Sequence, residues 1–339
     1  MTDLNTVWFA LLGFLLTGYA VLDGFDLGVG VLHLFTNNPD ERRININAIG
    51  PVWDGNEVWL LTFGGALFAA FPAAYATVFS SFYLAFVLLL AALIFRAVSI
   101  EFRGKINSPS WQLLWDRLFA LGSLMPAVLF GVAAGNILRG IPIDRNGVFT
   151  GTFPGLLTPF PLLFGLYTLV LFTMHGAAYM ALKTDGVLRN RMQQWISGCW
   201  IACVVLSIIT AAAGVFSCPH LFEGILGNLL AWLFFIMFMA SLLSIPFAVK
   251  AERFSWAFLA SSGLITGLIG LAAACLYPQL VPSITDPDSS LTIYNASSTP
   301  KTLVVMLVIA LTGMPLVIGY TLYIYRVFKG NVIITDESY

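Results

Sequence analysis

The run Val7-Trp-Phe-Ala-Leu-Leu-Gly-Phe-Leu-Leu-Thr-Gly-Tyr-Ala-Val-Leu-Asp-Gly-Phe-Asp-Leu-Gly-Val-Gly-Val-Leu-His33 decides the fold class. As a helix it is long enough to cross the roughly 30 Å hydrocarbon core of a bilayer. Ahead of His33, its only acidic or basic residues are Asp23 and Asp26. Comparable apolar spans follow at 53–71, 74–95, 114–138, 157–182, 193–217, 227–249, 255–277 and 302–328. The chain of 339 residues is 59% hydrophobic and 10% charged, with a mean hydropathy of +0.88. That composition excludes a water-soluble globule. Long uninterrupted runs favour helices over the short alternating strands of a barrel. The expected fold is therefore all-α, a polytopic membrane bundle of nine transmembrane helices forming a single integral membrane domain over 1–339. The start, Met1-Thr-Asp-Leu-Asn-Thr, lacks the basic region of a secretory signal and reads as the lead-in to an uncleaved first span.

An odd number of spans places the termini on opposite faces, and the basic residues orient them. Twelve lie after spans one, three, five and seven and at the C-terminus: Arg42, Arg43, Arg96, Arg103, Lys105, Lys183, Arg189, Arg191, Lys250, Arg253, Arg326 and Lys329. The other face carries Arg139, Arg145 and Lys301, and Arg117 lies at the base of span four. By the positive-inside rule the N-terminus is outside and the C-terminus cytoplasmic. Phe71-Pro72 reads as a tight hairpin between spans two and three, and Tyr277 to Lys301 as an external loop rich in Pro, Ser, Thr and Asp.

With that orientation Asp23, Asp26, Asp54, Glu57, Arg96, Asp116 and Arg117 gather in one leaflet, a polar inlet from the cytoplasm. An ionisable group at the bilayer centre costs about 2.5–3.5 kcal/mol on insertion scales, so each needs a compensating role. Asp23 and Asp26 are three apart and His33 lies seven beyond Asp26, on one helical stripe; Asp54 and Glu57 repeat the spacing at the start of span two. For Asp54 and Glu57 the alternatives are proton transfer and stabilisation of a helix N-terminus. For Asp23, Asp26, Arg96 and Asp116 the competing reading is a buried ion-pair network that positions helices.

Other features are architectural. Gly24-x-x-x-Gly28, Gly131-x-x-x-Gly135 and Gly263-x-x-x-Gly267 suit close helix contact, and Pro126, Pro246 and Pro315 are expected to kink their spans. Gly24-Phe-Asp-Leu-Gly-Val-Gly30 does not match the dinucleotide fingerprint. Cys199, Cys203, Cys218 and Cys275 lack metal or haem c spacing, and a Cys218–Cys275 disulfide stays open. His33, His175 and His220 read as satisfied polar residues, with His175 the first ligand candidate if the chain bound haem alone. The net charge of −1 gives no reason to expect nucleic acid as a partner, and no metal site is expected.

Long motifs carry a family likeness. They are Asp23-Gly-Phe-Asp-Leu-Gly-Val-Gly30, Asp40-Glu-Arg-Arg-Ile44, Trp53-Asp-Gly-Asn-Glu-Val-Trp-Leu60, and Gly64-Gly-Ala-Leu-Phe-Ala-Ala-Phe-Pro72 followed by Tyr75-Ala and Phe79-Ser-Ser-Phe-Tyr83. Phe95-Arg96, Trp115-Asp116, Gly135-Asn136, Phe258-Leu-Ala-Ser-Ser262, Tyr277-Pro278 and Ser290-Leu-Thr292 extend it over nearly the whole chain. The sequence resembles subunit II of the cytochrome bd family of quinol oxidases.

The resemblance implies a bacterial inner-membrane complex with a haem-bearing subunit I that holds two b-type haems and one d-type haem, or b in its place. Quinol is oxidised at the outer face and dioxygen is reduced to water with cytoplasmic protons. Further expected partners are the lipid bilayer, a small single-helix accessory subunit and, in some family members, a quinone bound on subunit II. Carried over by motif, Asp54 resembles an interfacial proton-path carboxylate, with Glu57, Asp23 and Asp26 on the same path. Asp26, Arg96 and Asp116 match positions tied to integrity of the haem site, and Trp53, beside Asp54, is expected with Arg96 and Asp116 to support that site at the subunit interface. The stretch from Cys218 to Gly227 is much longer in some relatives, so contacts made by that insertion do not transfer. Two competing functions are a proton-coupled secondary transporter, disfavoured because polar residues concentrate in spans one to four rather than in matched halves, and a purely structural assembly subunit.

Overall fold

The computed structural model describes residues 3–334. Its helices are α1 (Leu4–His33), α2 (Pro39–Ile49), α3 (Trp53–Ala70), α4 (Pro72–Ser81), α5 (Tyr83–Phe102), α6 (Pro109–Arg139), α7 (Pro159–Lys183), α8 (Gly186–Ser217), α9 (Leu229–Lys250), α10 (Phe254–Leu276) and α11 (Pro300–Val327). A two-stranded antiparallel ribbon pairs β1 (Gln279–Val281) with β2 (Leu291–Thr292). Local chemistry starts these helices. Proline sits in the first turn of α2, α4, α6, α7 and α11, where its missing N–H costs nothing. Side chains of Asp3, Asn38 and Asn228 accept backbone N–H groups that open α1, α2 and α9.

Eight helices among the described residues are long and apolar enough to cross a membrane: α1, α5 and α6 to α11. The helix α3 covers the expected second span, yet with Asp54, Asn56 and Glu57 in its opening turns it offers no 18-residue stretch as apolar as those of the other eight. Two elements depart from the sequence expectation. The span expected at 74–95 is split at Phe82 into the ten-residue α4 and the longer α5. Between the first two spans lies α2, a polar helix that a search for apolar runs passes over. The prolines at 126, 246 and 315 lie inside helices that continue through them.

The hub is α7, with 67% of its apolar window buried, flanked by α1, α6, α8 and α10. Small residues permit this. A Cβ added to Gly28 would lie 1.9 Å from the Phe172 carbonyl oxygen, and one on Gly176 would lie 2.5 Å from the Gly28 carbonyl carbon. The backbones of α1 and α7 touch there. Gly131 and Gly135 meet Gly165 and Pro161 of α7, and Gly267 meets the Phe238 backbone of α9. All three small-residue motifs thus sit at helix crossings.

One end of the bundle is closed by the loops. Phe71, Ala74, Ile141, Ile143, Val281 and Ile293 form a sealed cluster there, and Thr77 Oγ1 donates to the Gly147 carbonyl at 2.7 Å. The segment from Tyr277 to Lys301 carries β1 and β2 and is tied to α3 by Ser298 N–H donating to the Ala70 carbonyl at 2.8 Å. All four cysteines are free thiols, so the disulfide left open between Cys218 and Cys275 is not formed.

Replacing Gly28 by alanine is expected to destabilise the subunit by about 1–3 kcal/mol, the usual cost of overpacking, because backbone must move. Gly263→Ala meets the Ser241 hydroxyl at 2.5 Å, a side chain that can rotate, and is expected to cost less. Thermal midpoints of the detergent-solubilised protein by size exclusion check the order; equal midpoints would contradict it.

Candidate functional site

At the end of the bundle away from the loop cap, the expected cluster resolves into two buried sites. In the first, Asp23 and Asp26 of α1 and Arg96 of α5 are all fully buried. Arg96 Nη1 donates to Asp23 Oδ2 at 3.0 Å and Nη2 to Asp23 Oδ1 at 2.5 Å, a two-pronged pairing that suits the planar guanidinium. Asp26 Oδ2 lies 3.8 Å from Nη2 of the same arginine. Asn56 of α3 donates from Nδ2 to Asp26 Oδ2 at 2.8 Å and to the Leu22 carbonyl at 3.1 Å. Its own oxygen accepts the Tyr325 hydroxyl of α11 at 3.0 Å. One guanidinium therefore faces two carboxylates, a set whose charge balance changes with a single proton. Asp26 Oδ1 and Arg96 Nε have no hydrogen-bond partner among the described residues.

The second site is built around Asp116 of α6. Its Oδ1 accepts from His33 Nε2 at 2.9 Å and Arg103 Nε at 2.5 Å, and its Oδ2 accepts from Arg42 Nη1 at 3.0 Å. Arg42 comes from α2 and also donates from Nε to the Thr36 carbonyl at 2.7 Å. The short polar helix thus seals the end of α1. His33 lies two turns along α1 from Asp26, roughly 10 Å at 1.5 Å per residue, so the sites are neighbours on one stripe.

The remaining expected residues lie at the edge. Asp54 is exposed, Glu57 and Trp53 are half-buried, and Trp53 packs against the main core. The helix-capping alternative for Asp54 is not realised as a hydrogen bond. The N-cap position of α3 is Val52, and no side chain caps it, although Asp54 lies in the first turn where the helix end favours a carboxylate. Arg117 is exposed and belongs to neither site.

Sequence reading passed over the roles of Asn56, Tyr325, Arg42 and Arg103. Asn56 had a signal, since it lies between Asp54 and Glu57 in an apolar span. Tyr325, 269 residues from Asn56, had none.

His175 is fully buried, with Nδ1 at 2.6 Å from Ser261 Oγ, Nε2 at 2.9 Å from the Val21 carbonyl oxygen, and its ring stacked on Phe258. Both nitrogens are engaged, so it is a satisfied core residue and does not fit an axial haem ligand, which needs a free nitrogen.

Residues 4–328 match the family model described as cytochrome bd terminal oxidase subunit II. The chain is 36% identical to "Probable cytochrome oxidase subunit 2" of Haemophilus influenzae and 36% identical to "Cytochrome bd-I ubiquinol oxidase subunit 2" of Escherichia coli K12, over 97% of this chain and 95% of each relative. It is 35% identical to "Cytochrome bd ubiquinol oxidase subunit 2" of Bacillus subtilis, over 98% of both chains. In fold it is similar to a chain of the bd oxidase structure from Geobacillus thermodenitrificans, with a TM-score of 0.81 and 15% identity over 96% of this chain and 99% of that one. With its buried carboxylate network, its membrane helices and a match running almost end to end, the chain belongs to the cytochrome bd terminal oxidase subunit II family.

Proposed function

We propose that this chain is the non-haem subunit of a quinol oxidase complex, supporting a haem-bearing subunit I and delivering cytoplasmic protons for the reduction of dioxygen to water. The observation that carries this reading is the fully buried set of Asp23, Asp26 and Arg96, with the exposed Asp54 two residues from the buried Asn56. In this reading α3 is the ninth crossing of a single membrane domain, with the N-terminus periplasmic and the C-terminus cytoplasmic.

Within that frame each residue has a chemical task. Asp54 sits at the surface, where a partner subunit can receive a proton from it. Asp23, Asp26 and Glu57 lie on the path behind it, and Arg96, paired with Asp23, fixes that set in place. Asp116, held by His33, Arg42 and Arg103, fixes the end of α1 and with Trp53 braces the subunit interface. Two b-type haems and one d-type haem, or b in its place, belong to subunit I and supply the electron transfer and oxygen chemistry. Quinol is oxidised at the outer face. A quinone bound on this chain, away from the oxidation site, and a small single-helix subunit complete the proposed assembly.

Replacing Asp54 by Asn in the co-expressed complex is expected to leave the haem spectrum intact and lower quinol-driven oxygen uptake about tenfold or more, the scale of losing a positioned proton-transfer group. Wild-type uptake with intact haem would instead favour a purely structural subunit. Absence of haem and of oxygen uptake from a folded wild-type preparation would leave the transporter reading to be tested.

Arg96→Gln behaves differently, because it strands the Asp23 charge in the interior. It is expected to cost about 3–5 kcal/mol, as for other buried pairs broken from one side. Reduced yield of assembled complex, measured by co-purified haem per subunit, is the expected readout.

A further inference from the structure

The last helix, α11, is an outlier in this bundle. Only 6% of its apolar window is buried, whereas every other apolar span buries at least 22% of its own. Yet near its C-terminal end Tyr325 turns inward, edge-on to the fully buried Phe25, and its hydroxyl meets Asn56 Oδ1 at 3.0 Å. The chain just beyond is tied down as well. Phe328 accepts from Lys183 Nζ, Val332 N–H donates to the Lys183 carbonyl at 2.9 Å, and Asn331 bonds Asp185. The helix is thus held near its start by the buried Leu303, whose carbonyl accepts from Trp8 Nε1 at 3.0 Å, and at its close by this anchor, where a phenol enters the carboxylate network.

The donor and acceptor inventory shows what that phenol does. Asn56 spends both amide hydrogens, on Leu22 O and Asp26 Oδ2, so its oxygen is the only polar atom left for Tyr325. Without the phenol that oxygen is an unpaired buried acceptor, which is costly, and the amide is released to rotate away from Asp26. Asp26 in turn is held by Oδ2 alone, while Oδ1 is buried with no partner among the described residues. A carboxylate gripped by one oxygen presents the other for a proton. The charged and titratable groups facing it are Asp23 on its own helix, Glu57 on α3, Arg96 on α5, Tyr179 on α7 and Tyr325 itself.

We propose that Tyr325 is a positioning residue for Asp26: it fixes the Asn56 amide with its N–H toward Asp26 Oδ2, leaving Oδ1 as the oxygen that takes up and releases the proton. The proposal rests on the proton-delivery reading and adds to it a residue from the opposite end of the sequence. It makes the docking of α11 a condition for a defined protonation geometry, beyond a contribution to stability.

The test uses Tyr325→Phe in the full complex co-expressed with the haem-bearing subunit. Two quantities are measured: the pH profile of quinol-driven oxygen uptake, and the infrared carboxyl band of Asp26, identified by its loss in Asp26→Asn. The expected result is unchanged haem content, a pH profile displaced by about 0.5 unit or more, and a shifted band, since hydrogen bonding to a carboxylate alters its proton affinity. Asn56→Ser is expected to give the same displacement, and the double variant no more than either single one, because both act through one bond. Tyr323→Phe, on the exposed face of α11, is expected to match the wild type. A profile and band that superimpose on wild type in Tyr325→Phe would overturn the proposal. If that variant does not assemble, an unmoved band in Asn56→Ser overturns it equally. The infrared band reports on Tyr325 whether or not Asp54→Asn impairs turnover, so failure here is separable from failure of the proton-delivery reading.

Discussion

Arg96 and Asp23 meet with no solvent access on either side, and most of the arrangement around them follows from that pair. Removing two charges from water costs several kcal/mol per ion even after relaxation, and the attraction between them repays it only when geometry and further hydrogen bonds are good. The two-pronged contact supplies the geometry, but it joins α5 to α1 at one register only. Asp26, one turn further along α1, must then lie near the same guanidinium, and it needs its own donor. Asn56 provides it, which fixes α3 against α1, and Tyr325 completes Asn56, which fixes α11 against α3. Four helices are positioned by satisfying one buried ion pair.

The glycine contacts make this register attainable. Polar side chains as short as Asp and Asn reach one another only where helix axes run close, and the touching backbones of α1 and α7 at Gly28 and Gly176 bring the helices near enough. In lipid, apolar surface gives little driving force between helices, so close packing and buried polar bonds carry the association. The bundle therefore divides its labour. Small residues along α7 set the spacing, and the carboxylate network at one end sets rotation and register. At the other end the loops form an apolar lid around Phe71, Ile141 and Val281, which contains none of the charged site residues.

The two acidic sites differ in a way that bears on function. Asp116 is surrounded by donors, with His33, Arg42 and Arg103 each bonded to it, so its carboxylate is saturated and suits a brace. Asp26 keeps an oxygen with no partner among the described residues, beside a guanidinium already committed to Asp23. An under-satisfied carboxylate in the interior is the better place for a mobile proton, whereas a saturated one is the better hinge pin.

Sequence alone determined the membrane class, the approximate helices and the residue types of the site, because apolar length and the cost of burying charge are local properties. It also placed Asp23, Asp26 and His33 on one stripe, since helical periodicity is local too. It could not resolve the split at Phe82 or the polar helix α2, whose signals are turn geometry and capping rather than hydropathy. Nor could it tell how differently Asp26 and Asp116 are hydrogen-bonded, or bring Tyr325 to Asn56. Which carboxylate is saturated and which keeps an oxygen without a partner among the described residues depends on side chains up to 83 residues away and, through Asn56, on Tyr325, 269 residues from it; only the packing of α2, α3, α5, α6 and α11 around α1 decides it.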